Sequence, residues 1–438
     1  MERKLPSIRQ LALDLQCSRN SVIRAYMELE QQHKIYSIPQ SGYYIMQEGM
    51  CKVRVEECID LISSNPDKRA LPYREFAHCM NRAVEKYKEE LFQYPNPQGF
   101  PSFCNTLVTV LRNRQVYVKK EQICITNGVQ QAIDILFGMR LDSKKDTIVL
   151  EMPGYPLATK VASRNAWKIR YVRRDDEGID LECLESYFKE GNVSYFYLMP
   201  RFQNPTGCCL VDRQKKQIIE LAVKYEVYII EDDYLAELDI IQERLPLHYY
   251  DINERVIYLA GFSKSFMPGL RIGAVCLPEA ILEQFMSYKY PSDLGTSTYL
   301  QGTLEMFLIN GMYERHCNKI REIYNEKMQI CRLYYERYRD RMHARLKVPE
   351  SGYYLWITAW KSINKYQVTW LVDNLKKQGI LVLNGEKFYP EKFDVSAIRI
   401  CITNCTKEQL KIALEMIFET IIELEEKVAK IKKVVEWT

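Results

Sequence analysis

Five short apolar runs, at residues 147–151, 193–199, 227–231, 256–260 and 273–277, constrain this chain more than any other feature. Each is apolar along nearly its whole length rather than at alternate positions, so as a strand it must be buried on both faces. Helical patterns fill the stretches between them, and strand–helix alternation predicts a mostly parallel sheet covered on both sides. In such sheets ligands sit beyond the carboxyl ends of the strands. That is where these runs deliver polar residues such as Glu151 and Asp232. With 438 residues, 47% hydrophobic and 27% charged, the chain can fill such a core. A fibrous protein, a disordered tail and a stapled mini-protein are excluded.

The sheet occupies the middle of a longer layout, in which residues 1–46 read as a unit of their own. Pro6-Ser7 opens a short helix with Ile8, Leu11, Ala12 and Leu15 on one face, and Gln16-Cys17 turn the chain. Ser18 caps a second helix whose Val22, Ala25, Tyr26 and Leu29 form another apolar face. Residues 34–45 read as a small hairpin with Gly42 near its turn. Two helices and a hairpin of this size have the outline of a helix-turn-helix with a wing. A linker at 47–70 follows, then a large α/β domain over 71–330. Within it, 71–92 is expected to be helical around 74–90 and to pack on the smaller domain. That smaller α/β domain covers 331–438, with strands near 353–357, 380–383 and 397–402 and a long helix from about 407.

The formal net charge of +4, from 61 basic and 57 acidic side chains, neither argues for nucleic acid nor excludes it. Fourteen cysteines are scattered with no CxxC pair, and five histidines leave few partners for a metal cluster, so reduced thiols and no metal are expected. No apolar run approaches a membrane span and no signal peptide opens the chain, which predicts a cytoplasmic protein without a membrane partner.

The sharpest chemical signal is Gly261-Phe-Ser-Lys-Ser-Phe-Met-Pro-Gly-Leu-Arg-Ile-Gly273, directly after a strand. Ser263 and Arg271 bracket Lys264; a hydroxyl and a guanidinium suit a phosphate monoester, and an amine between them can form a Schiff base with an aldehyde. Together they point to pyridoxal 5'-phosphate. Asp232 can pair with a protonated pyridine nitrogen. Tyr234 and Asn204 can hydrogen-bond the ring's phenolic oxygen. Gly128, Val129 and Gln130 precede a helix, so their amides can meet the phosphate, and Tyr155 offers a face for ring stacking.

These residues, in this order, resemble fold type I pyridoxal-phosphate enzymes, the aspartate aminotransferase superfamily, over roughly 55–430. The resemblance implies that Lys264 is the internal aldimine lysine, the catalytic group acting with Asp232 and Tyr234. It makes Asn204 and Tyr234 the phenolic-oxygen partners, and Ser263, Arg271 and the Gly128–Gln130 loop the phosphate ligands. Arg399 falls where the family binds a substrate α-carboxylate, and Asn204 is the second substrate-binding candidate. Tyr94, in Gln93-Tyr-Pro-Asn-Pro-Gln-Gly99, resembles the segment that reaches a neighbouring subunit's phosphate, which implies a homodimer.

Residues 5–43 resemble the GntR-type winged helix. By that match Arg9, Ser18, Arg19, Asn20, Ser21 and Arg24 are the DNA-contact candidates, with Pro39–Gly42 at the wing. That family places another helix before Leu5-Pro-Ser7, so the unit is expected to lack its first helix. A winged helix followed by a fold type I domain is the layout of the MocR/GabR-type transcriptional regulators. The resemblance implies a regulator that binds double-stranded operator DNA and senses an amine or amino acid through aldimine exchange at Lys264. Retention of Asn204, Asp232, Tyr234, Lys264 and Arg399 keeps a second reading open: an aminotransferase passing an amino group to a 2-oxo acid such as 2-oxoglutarate.

Overall fold

In residues 5–45 the local signals produce two helices, α1 (Ile8–Asp14) and α2 (Arg19–Gln31), and an antiparallel hairpin of β1 (Ile35–Ile38) and β2 (Gly42–Ile45). The computed structural model describes residues 5–31, 35–38, 41–45, 58–241, 244–358, 363–390 and 393–435. It divides the chain into two compact units, Met1–Cys58 and Ile59–Thr438. In the first, Ser7 caps α1 by accepting from the Gln10 amide, and Gln16 turns the chain at φ 49°. Ala12, Val22, Tyr26 and Ile35 form a small core, and Tyr26 Oη donates to the Pro6 carbonyl at 2.9 Å. Two expected core residues stay outside it: Leu15 is 63% exposed past the end of α1, and Ala25 is exposed. The expected linker residues 47–57 and Pro39 at the wing lie outside the described residues.

The second unit opens with β3 (Ile59–Asp60), α3 (Tyr73–Tyr87), α4 (Pro101–Asn113) and β4 (Ile123–Thr126). Strands and helices then alternate as far as β9, apart from the β6–β7 pair, and two further strands follow: α5 (Val129–Gly138), β5 (Thr147–Met152), α6 (Pro156–Arg164), β6 (Lys168–Asp175), β7 (Gly178–Ile179), α7 (Leu181–Lys189), β8 (Val193–Leu198), α8 (Asp212–Lys224), β9 (Tyr228–Asp232), β10 (Val256–Gly261) and β11 (Gly273–Cys276). They form one sheet in the order β4-β11-β10-β9-β8-β5-β6-β7. Only β11 and β7 run against the others. Strands β8 and β10 are buried at every position, as apolar runs covered on both faces must be.

Three helices follow, α9 (Glu279–Asp293), α10 (Thr298–Ile309) and α11 (Met312–Tyr338). The chain closes with β12 (Arg345–Lys347), β13 (Tyr354–Thr358), α12 (Lys365–Lys377), β14 (Ile380–Leu381), β15 (Leu383–Asn384), β16 (Ile398–Cys401) and α13 (Lys407–Val435). A smaller antiparallel sheet has the order β12-β13-β16-β15, and β3 pairs in parallel with β14. Among the described residues no helix is long and apolar enough to cross a membrane.

Three expected boundaries are corrected. Residues 59–70 are not linker: β3 joins β14, and Ala70 and Leu61 are buried in the main core. Residues 71–92 do not pack on the smaller domain. Phe76, Cys79 and Ala83, one face of α3 at helical spacing, join Phe103, Phe266 and Phe307 of the large domain. The division at 330/331 falls inside α11, a continuous helix of 27 residues with no glycine or proline to break it.

Candidate cofactor and ligand site

Strands β4, β5, β8, β9 and β10 run in the same direction, so their following loops emerge at one edge. Strand β10 ends at Gly261 and delivers Ser263 and Lys264; β9 ends at Asp232; β8 leads to Asn204; β5 leads to Tyr155; β4 leads to Gly128 and α5. A cavity of about 850 Å³ opens there. Val129, Gln130, Tyr155, Asn204, Asp232, Tyr234, Ser263, Lys264, Arg271 and Arg399 all line it. Gly128 lies beside it under Arg271. Tyr94 does not line this cavity; its side chain is 92% exposed.

One side of the cavity is built for an anion. Gly128 has φ 79°, a conformation that side-chain-bearing residues rarely adopt, and a Cβ there would stand 2.6 Å from Arg271 Nη2. Gly273 is constrained as well: its Cβ would lie 2.8 Å from the Val129 amide nitrogen. The guanidinium of Arg271 therefore rests directly on the loop that starts α5, donating to the Asn127 carbonyl at 3.2 Å. The first amides of a helix have no intrahelical acceptor, so Val129 and Gln130 present donors beside that cation. The Ser263 side chain lines the same wall. Tyr155 Oη is tied to Gln130 Oε1 at 3.1 Å, which fixes the ring against this loop.

The deep wall carries a carboxylate. Asp232 is 3% exposed, and one oxygen accepts from Tyr197 Oη at 2.6 Å. Its other oxygen, Oδ1, is buried without a hydrogen-bond partner among the described residues. An orphaned buried acceptor of this kind fits a protonated ring nitrogen. Burial, more than any neighbour, pushes the Asp232 carboxyl up from 3.8 to about 7. The flanking acids point elsewhere by strand alternation: Asp233 pairs with Arg201, and Glu231 accepts from the Leu247 and His248 amides.

Lys264 Nζ donates to Ser64 Oγ at 3.1 Å and to the Ser64 carbonyl at 3.3 Å. Burial lowers its pKa from the usual lysine value, which favours the neutral, nucleophilic amine. Arg399 is 6% exposed, with Tyr354 and Phe388 rings 4.5 and 5.2 Å from its guanidinium carbon. It donates to Asn204 Oδ1 at 3.1 Å and to the Ile62 carbonyl at 2.7 Å. Holding the amide oxygen of Asn204 leaves its NH₂ to face the cavity as donor. The Tyr234 side chain lines the cavity, and its hydroxyl donates to the Phe202 carbonyl at 2.5 Å.

Sequence patterns alone do not single out Ser64, Tyr197 or Tyr354. Tyr197 carries a usable signal, a hydroxyl in a strand buried on both faces, which must find a partner. Ser64 carries none, because its contact with Lys264 spans 200 positions.

In the N-terminal unit, Arg9, Ser18, Arg19, Asn20, Ser21 and Arg24 are all exposed. Val22 and Tyr26 face the core, and at 3.6 residues per turn Asn20 and Arg24 stand opposite them. The Ser18 hydroxyl already accepts from the Ser21 amide at 3.1 Å.

A family model described as aminotransferase class I and II matches residues 56–417. The chain is 37% identical over 430 residues to the uncharacterized HTH-type transcriptional regulator YcxD of Bacillus subtilis, covering 94% of each. It is 27% identical to aromatic-amino-acid aminotransferase 1 of Thermococcus litoralis, over 86% of this chain and 91% of that one. Its fold is similar to that of kynurenine aminotransferase from Pyrococcus horikoshii, solved in complex with PMP: TM-score 0.77, 27% identity, 84% of this chain and 92% of that one. With a phosphate cradle, an orphaned ring-nitrogen acceptor and a half-buried lysine in one cavity, the residues present fit pyridoxal 5'-phosphate. The chain belongs to the class I and II aminotransferase family, to its MocR/GabR-type branch, and its cofactor is pyridoxal 5'-phosphate.

Proposed function

We propose that this protein is a transcriptional regulator that binds operator DNA through residues 1–46 and responds to an amine or amino acid at the Lys264 cavity. One observation carries the reading: a cofactor cavity complete with its lysine shares a chain with a separate helical unit whose Arg19 and Arg24 are exposed and make no ion pair among the described residues. The similarity to YcxD over 94% of the chain, by a protein named as an HTH-type regulator, supports it. In this reading α2 enters the major groove, with Asn20 and Arg24 on its outer face toward the bases and Arg9, Arg19 and Ser21 toward the backbone. Ser18 fixes the start of α2 and takes its place by capping. The protein acts in the cytoplasm as a homodimer, in which Tyr94 reaches the partner's phosphate site.

When bound, the cofactor supplies an aldehyde that joins amines reversibly and a ring that withdraws electrons. Lys264 holds it, Arg271, Ser263 and the α5 amides grip its phosphate, and Asn204 orients its ring. Arg399 anchors a ligand carboxylate, so amino acids and plain amines engage the cavity differently. A second reading, an amino-acid aminotransferase, is favoured by the presence of Lys264, Asp232 and Arg399 together in the cavity, since Lys264 could move an α-proton.

The test is fluorescence anisotropy of the cofactor-loaded protein on the DNA upstream of its own reading frame, against scrambled duplex, over a salt series. Specific binding that weakens with salt is expected. Arg19→Ala should weaken binding to both duplexes alike and reduce the salt slope by about 1, whereas Arg24→Ala should cost about 1–3 kcal/mol on the specific duplex and relax its specificity. Equal, weak binding to both duplexes, together with steady turnover of an amino donor and a 2-oxo acid, would hand the chain to the aminotransferase reading.

Cofactor loading should also depend on pH through Asp232. Its folded pKa, about 7, lies above the ordinary value, so the stability it contributes is present below about pH 4 and lost as pH rises through 7. Pairing with a protonated ring nitrogen requires the ionised carboxylate. Loading below pH 7 must therefore expel a proton, and affinity should rise by up to about tenfold per unit between pH 5 and 7, then level off. Equilibrium titrations of wild type and Asp232→Asn check this; a slope unchanged in the variant would assign the dependence to another group.

A further inference from the structure

Lys264 and Arg399, which bind different parts of any ligand, share one neighbour: the chain at residues 62–64. Lys264 Nζ reaches both Ser64 Oγ and the Ser64 carbonyl, at 3.1 and 3.3 Å. Arg399 Nη2 reaches the Ile62 carbonyl at 2.7 Å. Between them, the Ser63 carbonyl accepts from Thr403 Oγ1 at 3.4 Å. Both ligand-binding cations thus touch a single stretch of backbone.

That stretch is suspended between two anchors. On one side, Ile59 and Leu61 donate from their amides to the Gly379 and Leu381 carbonyls, and the Leu61 carbonyl accepts from Cys401, two residues past Arg399. On the other, Asp67 pairs with fully buried Lys327 at 3.3 Å, and its amide donates to Tyr324 Oη. The first anchor is also where the second unit begins, so the chain on its far side is Cys58 and the N-terminal unit.

A lysine ammonium has three N–H donors. When its nitrogen joins an aldehyde carbon, a C=N bond forms, water leaves, and at most one N–H remains. Lys264 then cannot keep both of its bonds to Ser64. Whatever is joined to Lys264 must change the restraint on residues 62–64.

We propose that Ser64 is a positioning residue for the Lys264 nitrogen, and that residues 59–64 register what is joined there and pass it along the chain toward residues 1–58. Its last clause rests on the regulator reading; the role of Ser64 does not.

The test compares full-length wild type, Ser64→Ala and Ser64→Thr, each with and without pyridoxal 5'-phosphate. The first readout is hydrogen exchange. In wild type, loading should speed exchange of the 59–64 amides about tenfold while slowing those at 128–131. In Ser64→Ala the 59–64 response should shrink to less than about threefold with 128–131 unchanged, and Ser64→Thr should restore it. The second readout is the pH titration of the loaded protein's visible band. The nitrogen titrates facing Asp232, Arg271, Arg399 and Cys401, none of which the substitution touches. Losing the Ser64 acceptor should lower its apparent pKa by about one unit in Ser64→Ala, with recovery in Ser64→Thr. Identical exchange and identical titration in all three proteins would overturn the proposal. Specific DNA binding is scored separately: its absence in wild type would sink the regulator reading and leave the positioning role of Ser64 untouched.

Discussion

Lys264→Ala should leave the protein folded and unable to retain its cofactor. After loading with pyridoxal 5'-phosphate and gel filtration, wild type should keep its visible absorbance and the variant should lose it. Borohydride reduction should add the cofactor's mass to wild type alone. The expected loss in affinity is at least about 100-fold, because the covalent link to the amine goes while the phosphate cradle of Arg271, Ser263 and the α5 amides stays. The fold should survive because, among the described residues, the lysine amine is bonded only to Ser64, on the wall of a cavity and not in packed core. Without cofactor, the two proteins should unfold at similar temperatures. With cofactor, only wild type should gain, by roughly 2.7 kcal/mol at a hundred times its dissociation constant. Lys264→Arg keeps the charge and cannot condense with an aldehyde, so it should behave as the alanine variant does. A reduced adduct in either variant would mean that another lysine carries the cofactor, and Lys160 and Lys387 at the cavity wall would be the next to replace.

What could be read in advance follows the range of each interaction. The five apolar runs are all strands, because burial on both faces is a local compositional demand. Strand order was not readable: β4 sits at the edge beside β11, almost 150 positions away, through pairing that no local signal encodes. The same limit explains the error over 59–70. Pro66, the nearby charges and a short strand look like surface path until β14, more than 300 positions on, supplies the partner for β3. The pattern over 71–92 does not reveal its partner, because an amphipathic helix declares that it has an apolar face and not what covers it. In the cavity, Lys264, Arg271 and Asp232 were legible because their chemistry is unusual at strand ends. Ser64 was not, since a serine in a turn has many ordinary partners.

Arg399→Ala should separate amino acids from amines. The guanidinium is almost fully buried, flanked by Tyr354 and Phe388, and each of its terminal nitrogens holds one acceptor, Asn204 Oδ1 and the Ile62 carbonyl. Its Nε has no partner among the described residues. A carboxylate entering the cavity meets a cation already desolvated and held in place, the arrangement in which a charged pair contributes most. Removing the guanidinium should weaken an amino acid by about 100-fold, roughly 2.7 kcal/mol, while the amine of the same side chain without its carboxylate changes less than about threefold. Arg399→Lys should fall between, near tenfold, because an ammonium keeps the charge and loses the two-pronged geometry. The variant carries a structural cost as well: Ile62 O and Asn204 Oδ1 each lose a donor, about 1–3 kcal/mol in all if neither finds water. Titrating the loaded protein's visible band with phenylalanine and with 2-phenylethylamine reads the two ligand classes on one scale, and the amine serves as the control for that cost. Equal losses for both would mean that Arg399 holds the cavity's shape and recognises nothing. A selective loss would place the carboxylate on the residue that also grips Ile62, and so on the chain that leads to residues 1–58.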